Sequence, residues 1–230
     1  MLEKMLAEKG LTLIVSLPEN SPEMAKAALD GGADALKVHA NVSHKASGNK
    51  FPSVKEQKDI FAEIIDLAGE IPVGLVPGDA PEKITAEELT LVQQLGFDFL
   101  SIYAHHIPVK ELQDSPFVKA VAYDQSYQIK DAVNYDQLGI DIIEASIVPK
   151  DEYGQRLTYK DIINYSALKN IVQKPVIIPT QKAIQPEELN LLSKTGVDAI
   201  MIGAVVTGNS IEGVKRVTRL FKDEINKGGY

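Results

Sequence analysis

The sequence predicts a closed (β/α)8 barrel, the TIM-barrel class of α/β fold, on three observations. Eight short runs rich in Val, Ile and Leu recur along 230 residues, separated by segments with helical periodicity. The spacing averages roughly 29 residues per strand-helix unit, the size of a compact barrel. Four runs also share one entry pattern, a helix-ending Gly, one residue, then Asp: Gly32-Ala33-Asp34, Gly96-Phe97-Asp98, Gly139-Ile140-Asp141 and Gly196-Val197-Asp198. A doubly wound open sheet gives the same alternation, but it rarely needs eight units, and no Gly-x-Gly-x-x-Gly follows the first run. One domain is expected over residues 1–230.

Taken in order, the first strand is LTLIVS (11–16), followed by a helix that Ser21-Pro22-Glu23 opens and Gly31-Gly32 closes. The second is DALKVHA (34–40), and after it comes NVSHKASGNKFPS (41–53), the longest loop directly following a strand. PVGLV (72–76) is the third, and the next helix runs from Thr85-Ala86-Glu87-Glu88 to Gly96. DFLSIYA (98–104), VKAVAY (118–123) and DIIEAS (141–146) are the fourth, fifth and sixth. A long connection, Val148 to Thr158, leads on towards PVIIP (175–179), the seventh. Gln185-Pro186-Glu187-Glu188 opens a helix closed by Gly196, and DAIMIGA (198–204) is the eighth strand. Asn209-Ser210-Ile211-Glu212 has the form of a cap opening the last helix.

Composition narrows the partners. With 32 acidic against 24 basic residues the net charge is −8, so a nucleic acid, which wants a basic face, is not expected. Mean hydropathy is −0.07 and the opening MLEKMLAEKG has neither the apolar core of a signal peptide nor the ~20 apolar residues of a span, so a cytoplasmic protein without a membrane partner is expected. No cysteine occurs, which excludes disulfides, a thiolate nucleophile and cysteine-ligated metal. A small molecule is the expected partner, no cofactor is expected, and self-association is left open.

Side chains pointing inward from alternate strands of a barrel share layers. Aligned on the repeated Asp, strands 2, 4, 6 and 8 put Lys37, Ser101, Glu144 and Met201 in one layer and His39, Tyr103, Ser146 and Gly203 in the next. A charge inside an apolar strand is costly against the helical shell, so the parity carrying Lys37 and Glu144 must face inward. Strands 2 and 6 lie opposite each other, which predicts an encounter of Lys37 with Glu144 beneath the mouth, direct or through ligand or water. A lysine beside a carboxylate in a desolvated cavity can carry protons or act as a Schiff-base nucleophile. The plainer alternative is a structural ion pair that fills the barrel.

Barrel sites lie at the C-terminal ends of the strands, and all four histidines, His39, His44, His105 and His106, fall there. Imidazole with a carboxylate suits a divalent ion, but no ligand spacing singles one out, and no metal is expected. His39 and Tyr103 join Lys37 and Glu144 as candidate catalytic residues. Ser101, Asp124, Ser146 and Thr180 are expected to line the mouth and hold substrate. In many barrels the loops after strands 7 and 8 bind phosphate through backbone N–H groups. Here Gly203 and Ala204 would supply the close backbone approach and Lys182 the balancing charge. The alternative at Gly203-Ala204 is packing of the last helix. The loop at 41–53 and the connection from Val148 to Thr158 are candidate lids or ordinary surface excursions.

The last two units, VIIPTQKAIQPEELNLLSKTGVDAIMIGAVVTGNSIEGVKRVTRLFKDEI, resemble the ribulose-phosphate-binding barrel group, and within it look most similar to the N-acetylmannosamine-6-phosphate epimerases. The resemblance implies a sugar-phosphate substrate, and so carbohydrate metabolism, with the phosphate held at Gly203 and Ala204. The epimerase pattern has a lysine ending strand 3 and a glutamate ending strand 7, where this chain has Val76-Pro77-Gly78 and Pro179-Thr180. The Lys37 and Glu144 pair therefore comes from spacing and not from the family. Together these features point to an isomerase or epimerase working by proton transfer on a phosphorylated sugar or carbonyl compound. An aldolase-type lyase using Lys37 covalently and a non-catalytic ligand-binding barrel are the alternatives.

Overall fold

A computed structural model describes residues 2–8, 10–113, 115–128 and 138–229. Eight parallel strands close into a ring: β1 (Thr12–Ser16), β2 (Ala35–His39), β3 (Val73–Val76), β4 (Phe99–Tyr103), β5 (Val118–Ala122), β6 (Ile142–Glu144), β7 (Val176–Pro179) and β8 (Ala199–Ile202). Each strand pairs with its neighbours in sequence, and β1 closes the ring on β8, Thr12 opposite Ala199. The fold is the (β/α)8 barrel that the sequence predicts.

Strand parity divides the apolar residues into two bodies. Leu13, Val15, Leu36, Val38, Leu100, Ile102, Ile143, Ile178, Ile200 and Ile202 belong to the core shared with the helices. Ile14, Ala35, Phe99, Ala120, Ile142, Ile177, Ala199 and Met201 form a separate cluster inside the ring. The N-terminal helix α1 (Leu2–Glu8) contributes Leu2 and Leu6 to that inner cluster, so it plugs the barrel floor from below. The charged opening of the sequence hides this apolar face. Phe99 reaches across the floor over Gly74, where a Cβ would lie 2.2 Å from the ring; only glycine leaves room for it.

The four Gly-x-Asp segments have one structural job. Each glycine takes positive φ, from +67° at Gly139 to +98° at Gly32, to end the preceding segment. Each aspartate then clasps the start of the preceding strand with its side chain: Asp34 accepts from Leu13 N–H, Asp98 from Val73, Asp141 from Lys119 and Asp198 from Val176, at 2.7–2.9 Å. The backbone N–H of each aspartate bonds back to the carbonyl of the same partner residue. Two-point clasps of this kind fix the register of β1 with β2, β3 with β4, β5 with β6 and β7 with β8.

Helices α2 (Pro22–Gly31), α3 (Lys58–Ala68), α4 (Ala86–Leu95), the short α5 (Val109–Leu112), α6 (Tyr159–Ile171), α7 (Leu189–Ser193), the single-turn α8 (Ala204–Thr207) and α9 (Ile211–Gly228) surround the ring. Ser21 and Thr85 cap α2 and α4 by accepting from Met24 and Glu88 N–H. The helix expected from Gln185 is broken, one 3-10 turn at Pro186–Glu188 before α7. Ser210 caps α9, which packs against α2 so closely that a Cβ at Gly31 would lie 2.6 Å from Thr218. The segment 41–53 is not a plain loop: Val42–Ser43 and Lys50–Phe51 pair antiparallel into a small hairpin at the barrel mouth. Among the described residues no helix is long and apolar enough to cross a membrane.

Candidate active site

The inward parity that carries hydrocarbon at the floor turns polar one layer higher. A cavity of about 390 Å³ opens at the C-terminal ends of the strands, and all eight residues of the two alternate-strand layers line it: Lys37, Ser101, Glu144, Met201, His39, Tyr103, Ser146 and Gly203. Ser16, beside Lys37 in register, joins them from β1. It follows Ile14 on the inward parity of β1, which is the signal by which it could have been found.

Lys37 and Glu144 meet across the barrel. The ammonium lies 3.6 Å from Glu144 Oε2, both side chains under 10 % exposed. Ser101 bridges them, accepting from Lys37 Nζ at 3.5 Å and donating to Glu144 Oε2 at 2.7 Å. Ser146 donates to the other oxygen, Oε1, at 2.9 Å. Each carboxylate oxygen is therefore held by a hydroxyl, whereas the ammonium is held only by longer contacts. Charge separation beneath an open cavity, with a hydroxyl between acid and base, can pass a proton in either direction.

The wall above is aromatic and uncharged. His39 is 2 % exposed, its Nε2 is 3.5 Å from Ser16 Oγ, and its Nδ1 has no hydrogen-bond partner. Phe51 of the hairpin stacks on it at 4.8 Å, and His44 lies 4.5 Å away. Burial, then His44 and Lys37, hold the His39 imidazole well below its ordinary pKa. Burial and Lys37, opposed by Glu144, bring His44 down to about 4. Ser47 N–H donates to His44 Nδ1 at 3.3 Å, which places the His44 proton on Nε2. Near neutral pH both rings are thus neutral, so His39 can donate and accept hydrogen bonds and is a weak base. Burial, reinforced by Tyr153 and Glu144, pushes the Tyr103 hydroxyl far above its usual range, so it stays a donor.

The remaining predicted residues divide. Thr180 lines the cavity and its Oγ1 accepts from Gly203 N–H at 3.1 Å, so that N–H is already used. Ala204 and Val205 line the cavity at the first turn of α8. Lys182 does not reach it. Its side chain is 2 % exposed and its Nζ is paired with Glu152 at 2.5 Å and Asp161 at 3.8 Å, so it cannot balance a ligand's charge. Lys182 lies three residues past the end of β7, in loop geometry, where Thr180 of the same parity turns into the cavity and Lys182 does not. Asp124 also stands outside the lining: the chain turns after β5, and the carboxylate accepts from Ser126 N–H and Oγ at 2.8 and 2.5 Å, with His105 3.7 Å away. Tyr153 and Gln181, paired at 2.5 Å, line the rim with Lys45, Asp79, His106 and Lys150. The sequence places His106 at a strand end and Lys45, Lys150 and Tyr153 in the two candidate lids, whereas nothing in it points to Asp79. Among the described residues no group of three or more His, Cys, Asp or Glu side chains could hold a metal ion.

No family model matches the sequence, and no curated protein matches it either. The fold, by contrast, is similar to solved enzyme barrels. Tryptophan synthase from M. tuberculosis matches with a TM-score of 0.70 at 11% identity, over 96% of this chain and 95% of that one. Thiamine phosphate pyrophosphorylase from Pyrococcus furiosus matches at 0.69 with 17% identity, over 99% and 98%. KGPDC from Streptococcus mutans matches at 0.64 with 15% identity, over 94% and 98%. At such identities the likeness establishes the fold and leaves the activity to the site.

Proposed function

We propose that this protein is an enzyme that rearranges a small phosphorylated sugar or carbonyl compound by proton transfer, of the isomerase or epimerase type. One observation carries the reading: the Lys37–Ser101–Glu144 chain lies buried at the bottom of a cavity large enough for a small metabolite. Glu144 is the base for a proton on the carbon next to a carbonyl, and Lys37 is the acid that stabilises the developing oxyanion. Ser101 returns the proton between them. Tyr103 offers its hydroxyl to a substrate oxygen, Ser146, whose proton goes to Glu144, can accept from a substrate hydroxyl, and the neutral histidines shape the pocket without competing for the proton. Support for a phosphate comes from the resemblance of the C-terminal quarter, whose Gly203, Ala204 and Val205 line the cavity.

The test is exchange in D2O. A panel of phosphorylated aldoses and ketoses is incubated with enzyme, and deuterium at the carbon next to the carbonyl is followed by NMR. Incorporation that Glu144→Gln and Lys37→Met each lower at least 100-fold supports the proposal; incorporation that survives both removes it. A specific observation favours a second reading. The Lys37 amine is held only at 3.5 and 3.6 Å, loosely enough to attack a carbonyl carbon. Borohydride reduction in the presence of substrate would then leave substrate mass on the Lys37 peptide, as an aldolase-type lyase requires.

A further inference from the structure

A phosphate dianion at the mouth needs positive charge, and the cation expected to supply it, Lys182, is buried outside the cavity on Glu152 and Asp161. The other charges lining the cavity are largely matched. Lys37 faces Glu144, Asp79 is paired with Lys83 at 2.5 Å, and His39, His44 and His106 are all held below their ordinary pKa values, chiefly by burial. Two ammonium groups make no salt bridge. Lys45 on the hairpin and Lys150 on the loop after β6 both line the cavity, and among the described residues neither has a carboxylate within 4 Å, although Lys150 is close enough to Asp124 to lower its pKa. They are brought together, since Lys45 Nζ donates to the Lys150 carbonyl at 2.8 Å and sits 5.1 Å over the Tyr153 ring. The same hairpin is tied to the end of β8 by Asn209 Nδ2 donating to the Ser47 carbonyl at 3.0 Å. Two cations at one rim of the cavity, in a chain of net charge −8, make that rim a favourable place for an anion.

We propose that Lys45 and Lys150 form the anion clamp of this cavity and neutralise the phosphate of its substrate. The inference rests on the phosphorylated-substrate reading given above and names the residues that provide its charge. Both side chains are exposed at the rim, so replacing them leaves the barrel intact.

Inorganic phosphate is the probe, titrated calorimetrically at low ionic strength into wild-type protein, Lys45→Ala/Lys150→Ala, Lys45→Arg/Lys150→Arg and Lys37→Met. The expected result is phosphate binding that the alanine pair weakens at least tenfold, that the arginine pair keeps, and that Lys37→Met changes less than threefold. Affinity unchanged in the alanine pair overturns the clamp and leaves the substrate reading standing. Affinity lost in Lys37→Met places the anion on the cavity floor and also overturns it. Wild-type protein that binds no phosphate overturns the phosphorylated-substrate reading and the clamp together, while D2O exchange with unphosphorylated sugars still tests the proton-transfer pair.

Discussion

Removing one charge of the buried pair is expected to destabilise the barrel more than removing both. At 3.6 Å and an effective dielectric of about 20, the attraction between Lys37 and Glu144 is on the order of 4 kcal/mol before desolvation is subtracted. Breaking a buried pair from one side typically costs about 3–5 kcal/mol, because the survivor stays buried without a counter-charge. Two features lower that here. Glu144 keeps both serine hydroxyls when lysine is lost, and the cavity is open to water at its mouth. Lys37→Met and Glu144→Gln should therefore each cost about 2–3 kcal/mol, a fall in Tm of roughly 4–12 °C for a chain of this size. The double variant should lose no more than either single one, a coupling of about 2 kcal/mol or more. Urea denaturation of the four proteins closes the cycle. Single-variant costs that add within about 0.5 kcal/mol in the double variant would refute the argument, because the two charges would then not interact in the folded protein.

The remaining expectations concern the frame and the histidine wall. Gly74→Ala should cost about 3 kcal/mol or more by driving a methyl group into Phe99, and Phe99→Leu, harmful alone, should recover part of the loss in the same denaturation assay. Asp98→Ala strips the acceptor from the buried Val73 N–H and should cost about 1–3 kcal/mol, with Asp98→Asn restoring most of it. For His44 the folded pKa is about 4 against 6.5 when unfolded, so the unfolded chain takes the proton first. Its share of stability is whole above pH 6.5 and drains as pH falls towards 4, by about 3 kcal/mol in all. His44→Gln should flatten the dependence of the urea midpoint on pH between about 6.5 and 4; an unchanged slope would mean that the ring is not desolvated as described.

Much of the fold was legible because it follows from local periodicity. Eight apolar runs and capped helices were enough for the ring, and the charge at Lys37 and Glu144 fixed which parity looks inward. The four Gly-x-Asp repeats were visible as a pattern, but their clasping of the preceding strand was not, since the partner N–H groups lie 21 to 25 residues away. Candidates beyond the strand ends fared less evenly. Thr180, Gly203 and Ala204 reach the cavity, whereas Lys182 and Asp124 turn aside once strand parity lapses into loop geometry.

The sequence by itself determined the barrel and the meeting of Lys37 with Glu144, because a two-residue period and the cost of burying charge leave little choice of direction. Only the tertiary structure decided which cations remain uncompensated and which imidazoles stay neutral. Those outcomes depend on Glu152 and Asp161 reaching Lys182 and on Phe51 covering His39. Charge compensation and desolvation are set by everything that packs around a group, and no local pattern of residues encodes it.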